Sequence, residues 1–248
     1  MKKDGIKWVD PHYKEYWKYV LALAKECYAA GFDEVQFDYI RFPGSRAPLV
    51  FPHGPNNGKI NRSELITKFA RYLKKNLSDL NKPTSFDVFG LVGNLHNNDL
   101  GIGQEWHKLS PYTNYMSPMM YPSHYPNGFA GIRTPDLRPY SIIAQSVARS
   151  IRANNNSKKP TNIRPWIQAF TAKWLKHHIP YGKNELNQQI KALKDKGIKS
   201  YLLWHPGSKF NLFYREVFNQ KKKIVKENLE AEDLEANPEE EDILSSHN

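Results

Sequence analysis

Two short apolar runs in this 248-residue chain each carry an aspartate where a carboxylate could act as acid, base or nucleophile. The first lies in Gly31-Phe-Asp-Glu-Val-Gln-Phe-Asp-Tyr-Ile-Arg-Phe-Pro43. Strand side chains alternate between faces, so Val35 and Phe37 share one face while Gln36 and Asp38 share the other. If the apolar pair packs under a helix layer, Asp38 points into the interior at the carboxyl end of its strand. A carboxylate there must be paired, hydrogen-bonded or functional, because burying it alone is very costly. Arg41 is the nearby cation that would keep it ionised, and an Asp38–Arg41 ion pair that only holds the loop is the structural alternative.

The run Thr84–Gly90 repeats the pattern, with Phe86 and Val88 on one face and Ser85 and Asp87 on the other. Two inward carboxylates on neighbouring strands match the acid and the base or nucleophile of glycoside hydrolysis. Asp87 read alone serves equally as a supporting hydrogen-bond acceptor. Glu105, in Gly101-Ile-Gly-Gln-Glu-Trp106, is a third carboxylate, or else an acid placed to favour a helix N-terminus. Ser117-Pro-Met-Met-Tyr-Pro-Ser-His-Tyr125 brings Tyr121 and His124 to a strand end, and Trp166, Gln168, Trp204 and His205 fall at two more. Tyr and Trp rings cover the apolar C–H faces of sugars while Gln binds hydroxyls, so Gln36, Tyr39, Arg41, Tyr121, His124, Trp166, Gln168 and Trp204 form the expected substrate-binding set. Asp38, Asp87, His124 and His205 would instead be the ligands of a metal-dependent hydrolase, but no HxH or HExxH spacing accompanies them, and no metal or other cofactor is expected.

Five runs read as strands: Glu34–Ile40, Thr84–Gly90, Asn114–Tyr121, Ile163–Phe170 and Lys199–Trp204. Helical patterns separate most of them. Trp17, Val20, Leu21, Ala24, Cys27 and Tyr28 recur at helical spacing before Gly31. A second helix is predicted from about Arg62 to Leu80, a third from Pro139 to about Asn154, a fourth through Leu186, Ile190 and Leu193, and a fifth from about Asn211 towards Lys226. This alternation implies a parallel sheet of α/β class, either doubly wound or of barrel type. In both, ligands bind at the carboxyl ends of the strands, where the loop from Pro43 to Asn61 also lies.

Hydrophobic residues make up 40% of the chain, as in a folded globular protein. No apolar run reaches the roughly 18–20 residues of a membrane span, and the Met-Lys-Lys start has no apolar stretch behind it. With Cys27 alone there is no internal disulfide. Localisation is therefore open, an extracytoplasmic place being compatible with a longer precursor. Nine acidic and no basic residues between Glu227 and Asn248 mark an acidic tail, partly helical or disordered. Residues 1–226, expected to form the folded domain, hold 36 basic and 16 acidic side chains, a net +20. Such a charge attracts anionic partners, yet the lysines are scattered and no nucleic-acid motif accompanies them, so no specific nucleic-acid partner is expected. The oligomeric state is left open.

These segments resemble the putative glycoside hydrolase domain family, grouped with alpha-amylase-like TIM barrels. Trp8-Val-Asp-Pro11, the long segment ending at Pro43, Asp87-Val-Phe-Gly90, Gly101-Ile-Gly-Gln104, Ser117 to His124 and Trp166-Ile-Gln-Ala-Phe170 carry the resemblance, in order, from Trp8 to about Pro206. It implies a (β/α) barrel in which the five strands correspond to strands 4–8, the first three being absent from this chain. It also implies cleavage of O-glycosidic bonds in a polysaccharide, with Asp38 as nucleophile, Asp87 as acid/base and Glu105 in reserve. A remnant without activity, or a carbohydrate-binding protein, is the non-enzymatic alternative.

Overall fold

The computed structural model describes residues 2–3, 6–44, 51–55 and 60–210. The chain divides into two compact units, residues 1–204 and 205–248. In the second, the described segment 205–210 is a turn in which the Gly207 N–H donates to His205 Nδ1 at 3.0 Å. The predicted fifth helix and acidic tail lie outside the described residues.

The first unit is built on one sheet of parallel strands: β1 (Val35–Phe37), β2 (Thr84–Phe89), β3 (Tyr115–Met120), β4 (Asn162–Ile163), β5 (Trp166–Gln168) and β6 (Leu202–Trp204). They lie side by side in chain order, β4 and β5 both pairing with β3. The only antiparallel pairing among the described residues is a two-residue ladder between Lys2–Lys3 and Ile6–Lys7. The predicted fourth strand is thus split in two. Pro165 has no N–H to give the ladder, and the break falls at Arg164-Pro165. The first strand is shorter than expected because Tyr39, two residues past its end, adopts a left-handed φ of 55° that turns the chain away.

The helices are α1 (Lys14–Ala29), α2 (Arg62–Leu77), the single turn α3 (Trp106–Leu109), α4 (Pro139–Asn155) and α5 (Lys183–Lys194). Trp17, Leu21, Ala24 and Tyr28 form the buried stripe of α1. Asn61 caps α2 by accepting from the Glu64 N–H at 2.9 Å, and Pro139 opens α4 at a position where no N–H is needed. Between sheet and helices lies an apolar layer in which Phe37, Phe86, Val88 and Met116 meet Leu21, Tyr28, Ile66 and Leu73. Each such side chain contributes roughly 1.5–3 kcal/mol when removed from water. The alternation therefore leaves Gln36, Ser85, Asp87, Ser117, Trp166 and Trp204 on the opposite, inner face.

That inner face is concave. Arg164, at the β4–β5 break, makes a bidentate salt bridge to Glu34 at the start of β1, one of its bonds measuring 3.0 Å. The Arg164 guanidinium also stacks on Tyr115 of β3, 4.2 Å from the ring centroid. Side chains from β1 and β4 meet across two intervening strands only if the sheet curls as a barrel does. The chain is an α/β protein whose parallel sheet forms part of a TIM-type barrel. None of its described helices is long and apolar enough to cross a membrane.

Candidate active site

Asp38, Asp87, Tyr39, Arg41, Tyr121, His124, Trp166 and Trp204, each singled out from the sequence, line one cavity of about 390 Å³ at the carboxyl ends of the strands. The register accounts for this meeting. Gln36 pairs with Ser85, Asp87 with Ser117 and Gln168 with Trp204, so side chains of one parity advance together around the inner face.

Asp87 is buried, at 5% exposure. Trp166 Nε1 donates to its Oδ1 at 2.8 Å, and Gln36 Nε2 donates to the same oxygen. Oδ2 receives neither donor, so the protonated form carries its hydrogen there. Burial lifts the Asp87 carboxyl to a pKa of about 7. The bonds from Trp166 and Gln36 oppose that rise and the charge of Asp38 adds to it. A carboxylic acid half protonated near neutrality is suited to proton donation.

Asp38 stands just past β1, its Oδ1 accepting the Tyr39 N–H at 2.6 Å. Burial raises its carboxyl above the ordinary range, while the Tyr39 N–H and the positive charge of Arg41 pull the other way. The residue as a whole is exposed although its carboxyl is flanked by protein, because its open side faces the cavity. Of the two aspartates, Asp38 therefore ionises first and Asp87 keeps the proton.

Arg41 is held by rings. Its guanidinium lies 4.8 Å from the centroid of Trp8 and 4.9 Å from those of Tyr39 and Phe89, and Nη1 donates to the Phe42 carbonyl at 3.1 Å. It acts on Asp38 by charge; no ion pair between them lies within 4 Å. The Trp8-Val-Asp-Pro11 segment that supplies one of these rings is fastened by Asp10, which accepts from the backbone of His12 at 3.0 Å and of His53 at 2.8 Å.

Three predicted site residues lie outside the cavity lining: Glu105, Gln168 and Gln36, whose amide donates to Asp87. Glu105 stands at the N-terminus of α3, ion-paired to Lys108 at 2.8 Å; burial pushes its carboxyl up, but the bonds from Lys108 and Ser63 leave it below the ordinary range. Gln168 is fully buried; its amide donates to Asp136 at 3.1 Å and to the Phe170 carbonyl at 3.0 Å, and accepts from Ser123. It thereby fixes the turn that presents His124, whose Nδ1 lies 2.9 Å from Ser123 Oγ. His205 belongs to the second unit. Among the described residues, no three His, Cys, Asp or Glu side chains are grouped to hold a metal ion.

Several contributors escaped the sequence reading. Phe89, Gly90, Leu91 and Met119 also line the cavity, beside Tyr125 from the end of the Ser117–Tyr125 run. At Gly90 a Cβ would come within 2.5 Å of the Met119 carbonyl and 2.6 Å of Tyr125 Oη, so only glycine permits this approach. Its place in Asp87-Val-Phe-Gly90, directly after a strand, was the available signal. Trp174, 63% exposed and stacked on Phe170, sits in a loop without periodicity and left none.

A family model described as "Putative glycosyl hydrolase domain" matches residues 1–210. No curated protein matches the sequence. Among solved structures, the chain is similar to the PgaB (BpsB) glycoside hydrolase domain from Bordetella bronchiseptica, with a TM-score of 0.53 and 15% identity over 83% of this chain and 63% of that one. It is also similar to the spore cortex-lytic enzyme SleL of Bacillus megaterium QM B1551, with a TM-score of 0.51 and 11% identity over 83% of this chain and 54% of that one. SleL of Bacillus cereus is comparable, at 0.50 and 11% over 83% and 55%. At these identities the likeness is one of fold, and the chain spans between 54% and 63% of the length of these structures.

Proposed function

The chain belongs to the putative glycosyl hydrolase domain family, and from that premise we propose that it cleaves O-glycosidic bonds of a polysaccharide with Asp38 and Asp87 as the reacting pair. One observation carries the reading: the two carboxyls share an aromatic-lined cavity, and the buried one has a pKa of about 7 with its second oxygen unencumbered. Asp38 attacks the anomeric carbon as the bond to the leaving oxygen breaks. The electron pair of that bond stays on the leaving oxygen, which takes the proton from Asp87 Oδ2. A water molecule then attacks the anomeric carbon, gives its proton to Asp87, and releases the sugar and the Asp38 carboxylate. Trp166 and Trp204, whose rings meet edge to face with centroids 6.0 Å apart, offer faces for the sugar C–H groups, while Gln36 and Trp166 hold Asp87 in place.

A panel of 4-nitrophenyl glycosides tests the reading. The protein is expected to hydrolyse at least one of them with retention at the anomeric carbon. Asp87→Asn should lose less activity on these good leaving groups than on alkyl glycosides, which need the acid more. A folded protein that cleaves none of the panel contradicts the proposal.

A further inference from the structure

A surface groove adjoins the cavity. Tyr125, part of its wall, also lines a second depression with Asn127, Thr134 and His177, and those residues lead on to a trough bounded by Arg133 and Arg138. Lys176 flanks the second depression. Arg133, Arg138, Lys176 and His177 are all exposed. Among the described residues, neither arginine nor Lys176 has an acidic partner within 4 Å. The acidic residue lining the groove is Asp136, which is buried, with Oδ1 accepting from Gln168 at 3.1 Å and Oδ2 from the Ile179 N–H at 3.3 Å. At the cavity end, among the described residues, Arg41 gives one N–H to the Phe42 carbonyl and otherwise rests against rings. Beyond the cavity, where Asp38 and Asp87 stand, the groove thus offers exposed cations, and its one lining carboxyl, Asp136, is hydrogen-bonded inward.

We infer that this groove binds a polysaccharide bearing negative charges along its chain, with Lys176, Arg133 and Arg138 holding the part that extends beyond the cavity. The inference rests on the glycosidase reading, because a chain threaded through the groove must present its glycosidic bond to Asp38 and Asp87. Unpaired guanidinium and ammonium groups facing a channel bind carboxylates and sulfates by charge-assisted hydrogen bonds, and Arg adds a planar fork for either. A cleft lined by one sign of charge also concentrates the oppositely charged ligand near its mouth.

The full chain can be titrated with matched pairs of probes: oligogalacturonate against the same oligomers with carboxyls reduced to alcohols, and dextran sulfate against dextran. Poly(U) serves as an anionic chain without sugar specificity. At 50 mM NaCl the charged member of at least one pair is expected to bind tenfold or more tighter than its neutral partner. The advantage should shrink at 300 mM NaCl, as exposed charges are screened. The two pairs separate carboxylate from sulfate recognition. In the double variant Arg133→Ser/Lys176→Ser most of that preference should vanish while 4-nitrophenyl glycoside turnover is unchanged. Equal binding of the neutral partners, an undiminished preference in the double variant, or poly(U) binding as tightly as the acidic glycans would each overturn the inference. Absence of aryl glycoside turnover strikes the underlying reading; intact turnover with no charge preference strikes the groove alone.

Discussion

The indole of Trp166 on β5 donates its N–H to Asp87 Oδ1 on β2 at 2.8 Å, reaching over β3, the strand that lies between them. The bond stabilises the charged carboxylate and so limits the rise caused by burial. Trp166→Phe removes the donor and keeps an aromatic ring. The alkaline limb of the kcat/KM profile, set by loss of the Asp87 proton near pH 7, should move up by about one pH unit. An unmoved limb would mean that another group provides the proton.

The same carboxyl sets a stability gradient. Its folded-state pKa of about 7 lies above the ordinary 3.8, so the folded protein holds a proton that the unfolded chain releases first. Stability is therefore lost as pH rises from about 4, and the loss is complete above about 7, at a cost of roughly 4 kcal/mol. Asp87→Asn keeps an acceptor oxygen for Trp166 and Gln36 and abolishes the titration. Denaturant unfolding should find the variant close to wild type at pH 4 and more stable at pH 8. A difference that does not grow with pH contradicts the burial argument.

Glu34 and Arg164 close the concave face well below the reacting pair. Both are largely shielded from water, with side-chain exposures of 21% and 17%. Glu34→Gln leaves Arg164 without its anion and should destabilise the fold by about 3 kcal/mol. Arg164→Met together with Glu34→Gln should recover part of that loss, since no charge is then left buried. A double-mutant cycle with no coupling between the two positions would remove the pair as the tie across the curled sheet.

Much of this arrangement is legible in the residue pattern alone. The alternation in Val35-Gln-Phe-Asp38 and Phe86-Asp-Val88 separates a helix-facing layer from an inner one, and the structure places Phe37, Phe86 and Val88 in the apolar layer accordingly. The parallel α/β class followed from the helical stripes that separate most of the strands, and their chain order from the family resemblance. Other features depend on tertiary contacts that no local pattern encodes. Gln168 sits at a strand end like Trp166, yet its amide is fully spent on Ser123, Asp136 and Phe170, because the loops after β3 and β5 meet there. The Arg41 surroundings combine Trp8, Tyr39 and Phe89 from three separate segments. Trp174 and the cationic groove belong to loops, where side-chain direction is set by the fold.

Turnover per folded molecule of Asp38→Asn, measured beside its melting temperature, tests the central claim most directly. The substitution is nearly isosteric and removes the charge that attacks the anomeric carbon. The expected result is a loss of kcat on the order of a thousandfold or more on a 4-nitrophenyl glycoside cleaved by the wild type, with the melting temperature nearly unchanged. Arg41 is consistent with that retained stability, since it is held by three rings and the Phe42 carbonyl. A variant that melts several degrees lower yet turns over normally once corrected for the folded fraction would contradict the account, and would make Asp38 a structural partner of Arg41.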